Sequence, residues 1–146
     1  MALSKLDSLY KAVVTDHTKT PHHRGLLPEQ APHTLHNPTC GDVLSLSLEL
    51  VDDRIAAIGW DGDGCSISLA SASMMADSVL GLSVTDALAM AELFSQMVQG
   101  EPSDPRQKEL GDAQFLSGVS KFPQRIKCAT LAWKGLEKAL SDIEDR

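Results

Sequence analysis

Three cysteines offer more chemistry than any other residues in this chain, and they stand as NPTCGD, GDGCS and RIKCATLAW. That places Cys40, Cys65 and Cys128 in three separate stretches. None belongs to a C-x-x-C pair, the close spacing by which zinc ribbons and fingers show themselves, so spacing alone is a weak metal signal. The plain alternative is that each is a small buried hydrophobe, a common fate of a free cysteine. Local context works against it for Cys40 and Cys65, which lie in polar, glycine-bearing turns outside any apolar stripe.

Cys65 stands just before a stretch that reads as a helix, where unpaired backbone N–H groups and the helix dipole favour a thiolate. Cys40 and Asp42 are two apart, and in an extended segment such side chains point to one side, within reach of one metal ion. Cys128 is expected on a helix but off its apolar stripe, facing a flank. Arg125 lies one helical turn earlier, where its charge would offset that of three thiolates and a carboxylate. A solvated surface position is the equal alternative for Arg125.

Other candidates weigh less. His22, His23, His33 and His36 share a polar stretch, and a PHH run there reads as solvent-exposed, so the histidines stay outside the expected site. Met74 and Met75 read as core packing. The DGDG of residues 61–64 lacks both the remaining ligands of an EF-hand and the Lys-Ser/Thr of a phosphate loop.

The elements that must position these residues follow from periodicity. Leu6, Leu9, Tyr10, Val13 and Val14 predict a helix from Ser4 to about His17. Residues 18–39 have no period and read as a long loop, with a weak third strand over Thr34 to Asn37. Leu44, Leu46, Leu48 and Leu50 alternate with polar residues, which predicts a strand from Asp42 to Leu50. VDDR is a turn, Arg54 to Trp60 a second strand, and the pair an antiparallel hairpin. A helix then runs toward Gly81, and Ser83 caps another that ends at Gly100. Residues 101–122 read as a loop with a short helix near Asp112 to Leu116. From Pro123, a residue suited to the first helical position, Ile126, Ala129, Trp133, Leu136, Leu140 and Ile143 form one stripe.

At 146 residues and 42% hydrophobic content, one domain over residues 1–146 is expected. There is no apolar run of about 18 residues and no signal-peptide core in MALSKLDSLY, so a cytoplasmic, reducing location is expected, where thiols serve metal binding or catalysis. A net charge of −7 without a basic run argues against nucleic acid as a partner.

Taken together, NPTCGD, GDGCSIS, RIKCATLAW and the early YKAVVTDHTKTPHHRG resemble the iron–sulfur assembly proteins of the IscU and NifU N-terminal type, in particular the SufU branch. All four motifs occur in order between Tyr10 and Trp133. The resemblance implies an α+β fold of SufE/NifU-like architecture, with about three antiparallel strands covered on one side by helices. It also implies Cys40, Asp42, Cys65 and Cys128 as metal ligands and Cys40 as the sulfur-accepting thiol; Arg125 joins Cys40 as a catalytic candidate on its helical spacing alone. IscU scaffolds have histidine directly before the last cysteine; here Lys127 stands there. Residues 101–122 resemble an insert that marks SufU proteins. Both features point to a Zn²⁺-dependent sulfurtransferase served by a PLP-dependent cysteine desulfurase of SufS type, with downstream iron–sulfur assembly proteins as further partners. In that reading a partner side chain displaces Cys40 from zinc, and the freed thiolate takes the persulfide sulfur. The alternatives are a scaffold carrying a transient [2Fe–2S] cluster and a zinc-stabilised interaction module.

Overall fold

A computed structural model of the chain describes residues 2–37, 41–101 and 104–144, with side chains from residue 11 to 143. Three antiparallel strands lie in the order β1 (His33–Asn37), β2 (Asp42–Val51) and β3 (Arg54–Asp63). The leucine alternation sets the sheet's faces, since Leu44, Leu46 and Leu48 are all buried on the helix side. Val51 pairs with Arg54 across a two-residue loop, and Asp52 and Asp53 both take positive φ, 53° and 61°. That is the backbone of a type I′ turn, whose twist suits a hairpin and which aspartate tolerates.

The hairpin runs longer than its sequence pattern predicts. Its last rungs pair Leu44 with Gly62 and Val43 with Asp63, so residues 61–63 belong to β3 and not to the turn after it. The weak strand near Thr34 is real, and its register sets Asn37 opposite Asp42.

Helix α4 (Pro123–Glu144) lies against β1 and β2, and α2 (Ser66–Val79) packs on α4. Helix α1 (Ala2–Lys19) packs on α2, while α3 (Val84–Val98) packs on α4. Ser83 caps α3 by accepting the Asp86 N–H at 3.1 Å. Between α3 and α4 the core is aromatic, with the Phe94 and Trp133 rings stacked 4.4 Å apart. Ser71 of α2 donates to the Ala129 carbonyl at 2.5 Å and accepts from Trp133 Nε1 at 3.1 Å. That bond pair fixes α2 against α4, the two helices that carry Cys65 and Cys128.

One expectation is corrected. Residues 105–121 are a 3₁₀ segment broken at Gly111 (φ 61°), not a loop with one short helix. The segment buries Leu110, Ala113, Leu116 and Val119, spaced by three as a 3₁₀ face requires. Cys128, expected on a flank of its helix, is fully buried there, because α4 is covered by other elements on more than its apolar stripe. Among the described residues no helix is long and apolar enough to cross a membrane.

Candidate metal centre

The hairpin, α2 and α4 converge at one point. Because β3 returns antiparallel to β2, its end at Asp63 lies beside the start of β2, and the next residues pass over Asp42. The Cys65 amide donates to Asp42 Oδ1 at 3.0 Å as the chain turns into α2. Gly64 permits this approach, since a Cβ there would lie 2.6 Å from Asp42 Oδ1 and closer still to Ser68 Oγ. Helix α4 brings Cys128 in from the other side, and donor atoms of Asp42, Cys65 and Cys128 all lie within 4.8 Å of one another.

Asn37 completes the inner wall. Its Nδ2 donates to Asp42 Oδ2 at 3.3 Å and lies 3.8 Å from Cys128 Sγ. Sequence reasoning passed over this residue. The signal was its place directly before PTCGD, which the β1–β2 register turns into a position opposite Asp42.

Asp42 and Cys128 are fully buried, whereas Cys65 is half-buried at the helix entrance. Burial pushes the Cys65 thiol up, and hydrogen bonding with Ser68, through its amide and its hydroxyl, and with Cys128 more than reverses it. The Asp42 charge opposes that lowering, and the thiol still ends below its ordinary range. The Cys65 sulfur completes no capping hydrogen bond, yet the Ser68 amide is directed closely enough to favour the thiolate.

Arg125 sits at the exposed rim. The Cys65 thiolate, by charge and by hydrogen bond, raises the Arg125 guanidinium above its usual value, and Cys128 adds to this. An attraction that favours the guanidinium favours the thiolate in turn.

Two thiols and a carboxylate within 4.8 Å suit a borderline-soft divalent ion. A buried carboxylate beside a thiol that favours its anion is costly without a compensating cation. Zinc takes thiolate and carboxylate donors at about 2.0–2.3 Å in a tetrahedron, and these three donors fit three of its corners.

A model of the NifU-like N-terminal domain family matches residues 9–129. The chain belongs to that family. A Streptococcus pyogenes protein named iron–sulfur cluster assembly scaffold protein IscU is 57% identical over 96% of this chain and 87% of its own. The zinc-dependent sulfurtransferase SufU of Bacillus subtilis is 46% identical over 97% of this chain and 95% of its own. Among solved structures, a Fervidobacterium islandicum protein described as a candidate scaffold of the SUF system superposes with a TM-score of 0.81 at 30% identity. That match covers 88% of this chain and 93% of that one.

For this member of the NifU-like family, the structure joins three of the four expected ligands and sets Arg125 beside them. Cys40 lies outside the described residues. Gly41, between it and Asp42, has a φ of 74°, and its amide donates to the Asn37 carbonyl at 2.8 Å. Gly41 itself lies in a turn and is not extended. Met74 and Met75 are buried in the core as expected. In the DGDG stretch, Asp61 accepts a hydrogen bond from Arg24 at 3.1 Å. The histidines part company: His33 and His36 lie in β1, while His22 and His23 both reach Asp77 of α2 and are not simply solvated.

Proposed function

We propose that this chain is an iron–sulfur cluster assembly protein acting as a zinc-dependent sulfurtransferase, which accepts persulfide sulfur from a PLP-dependent cysteine desulfurase. The observation that carries this reading is the donor set: Asp42, Cys65 and Cys128 within 4.8 Å, with Lys127 where the scaffold pattern has histidine. The 46% identity to a protein named as a zinc-dependent sulfurtransferase supports it. Asp42, Cys65 and Cys128 hold the ion and Cys40 is the fourth ligand.

Zinc, when bound, keeps its cysteine ligands as thiolates at neutral pH. Cys40 is the nucleophile. Its thiolate attacks the terminal sulfur of the desulfurase Cys–S–SH, a new S–S bond forms on Cys40, and the desulfurase cysteine leaves as a thiolate. Arg125 attracts the anionic sulfur at the open rim, and Asn37 holds Asp42 in place within the wall. The exchange transfers one sulfur atom with no net oxidation, and its rate follows the thiolate character of Cys40.

A scaffold for cluster assembly is the second reading, favoured by the 57% identity to a protein named IscU. Desulfurase turnover with zinc-loaded chain separates the two. The sulfurtransferase reading expects stimulation by the wild type and none by Cys40→Ala, which stays folded. Labelled sulfur accepted by Cys40→Ala at the normal rate overturns the role of Cys40. Stoichiometric iron and sulfide in anaerobically purified protein, with no zinc, selects the scaffold.

A further inference from the structure

A second group of donors lies at the other end of α2. His17 near the end of α1, His22 in the following loop and Asp77 of α2 offer ligand atoms that all lie within 4.8 Å of one another. Asp77 is twelve positions beyond Cys65, which at 1.5 Å per residue is about 18 Å along the helix. The two groups share no residue.

The histidines are held from behind. His17 is fully buried, with Nδ1 2.6 Å from Ser73 Oγ and Nε2 2.9 Å from Asp112 Oδ2. Ser73 Oγ also accepts the His22 amide at 2.8 Å, and the His22 carbonyl accepts from Trp60 Nε1 at 2.8 Å. The backbone of His22 is therefore anchored on both sides by the core. With Ser73 donating to Nδ1, His17 is the tautomer protonated at Nε2, and that proton goes to Asp112. A carboxylate on the far nitrogen of a histidine is the arrangement that orients and strengthens metal-ligating imidazoles.

Asp77 is bracketed in turn. His22 Nδ1 meets its Oδ2 and His23 Nε2 lies 3.2 Å from its Oδ1. His23 takes a φ of 61°, a left-handed conformation that histidine adopts more readily than most residues other than glycine, and two successive histidines face one carboxylate. The rings of His17 and His22 have centroids 4.5 Å apart. The side chains of His22, His23 and Asp77 are between 33% and 39% exposed, which leaves a path from solvent to a site whose floor is closed.

We propose that His17, His22 and Asp77 form a second metal site, for a divalent first-row transition ion bound through two imidazoles and a carboxylate. Imidazole nitrogen selects zinc, iron, nickel or copper over magnesium and calcium, and the absence of sulfur separates this site from the thiolate group. The ion takes the Nδ1 lone pair that the Ser73 proton occupies without it. Donors bound at about 2.0–2.1 Å in a tetrahedron lie roughly 3.3 Å apart, so side-chain adjustments of about an ångström close the group. Asp112 orients His17, and His23 stands next to the open coordination position. A bound ion ties together α1, the loop after it and α2, and through Asp112 the 3₁₀ segment.

The test is equilibrium dialysis of the full chain against Zn²⁺ and, in parallel, Co²⁺, comparing wild type with Asp77→Asn and His22→Gln. Both positions are partly exposed, so neither variant threatens the fold. The expected result is one ion fewer per chain in each variant, or at least tenfold weaker binding of that ion. The Co²⁺ absorption lost should lack thiolate charge transfer. The same difference should persist in a Cys65→Ser background, which makes the outcome independent of the sulfurtransferase reading. Wild type and variants that bind the same number of ions with the same affinity overturn the proposal and leave three histidine–aspartate hydrogen bonds.

Discussion

Gly64 has Asp42 and Ser68 packed against the position of its missing side chain, and Gly64→Ala adds the smallest group that fills it. The new Cβ would lie 2.6 Å from Asp42 Oδ1, inside the 3.0 Å that Cβ contacts essentially never breach. If Asp42 retreats, it loses the Cys65 amide bond of 3.0 Å; if Ser68 rotates, it gives up its 3.0 Å bond to the Cys65 carbonyl. Either way a buried polar group is left short, at about 1–3 kcal/mol, similar to the usual strain of one extra core methyl. At roughly 2–4 °C per kcal/mol for a chain of this size, the metal-free protein should melt several degrees lower. Zinc affinity should fall about tenfold to a hundredfold, the common effect of disturbing groups that support metal ligands. Competition against a chromophoric chelator measures the second quantity and calorimetry the first. Gly118→Ala is the control, since its Cβ would meet nothing within 4 Å. Wild-type melting and wild-type zinc affinity in Gly64→Ala would refute the claim that Asp42 and Ser68 are fixed by this close approach.

Other outcomes follow from the same geometry. Ser71→Ala leaves Trp133 Nε1 without its partner inside the α2–α4 contact and removes the extra bond to the Ala129 carbonyl, so urea unfolding should show a loss of about 1–3 kcal/mol. Arg125→Ala, at an exposed position, should leave the melting temperature alone while raising the Cys65 thiol pKa, which slows alkylation of metal-free protein at neutral pH; Arg125→Lys should restore most of the rate. Glu137 is raised by partial burial and then by Glu92, so its charged form is the disfavoured one when folded. The resulting penalty is present above the raised folded value and relieved as pH falls through it. Glu137→Gln should therefore stabilise at neutral pH, by well under about 1 kcal/mol given its exposure, and the gain should vanish in acid melts.

What the sequence disclosed was local. The Leu44 to Leu50 alternation and the helix stripes announce themselves because their periods are set by neighbours in the chain. The last three residues of β3 do not, since Asp61, Gly62 and Asp63 have poor strand propensity and are extended only because β2 pairs with them. Leu110, Ala113, Leu116 and Val119 carried a readable period of three, masked by the surrounding glycines and charges. Cys65 and Asp42 were legible from their turns. The burial of Cys128 was not, because the elements that cover α4 come from distant parts of the chain, and Asn37, which touches its sulfur, is 91 residues away. The His17 contacts, which span 56 and 95 residues, lie beyond any local pattern.

Helix α2 offers its neighbours mostly alanine and serine, whose short side chains leave few ridges for another helix to grip. Three of its serines supply the missing information: Ser71 bonds to Ala129 and Trp133, Ser73 to His17 and His22, and Ser78 to the Leu110 carbonyl. These bonds point in different directions, so together they fix how far the helix is turned about its own axis. A rotation by one residue, about 100°, would break the Ser71 and Ser73 bonds at once. Alanine or leucine substitutions that deepen the packing would leave that angle undefined. The serines thus act as an index mark, and the orientation of both donor groups on this helix is set by hydrogen-bond direction more than by shape.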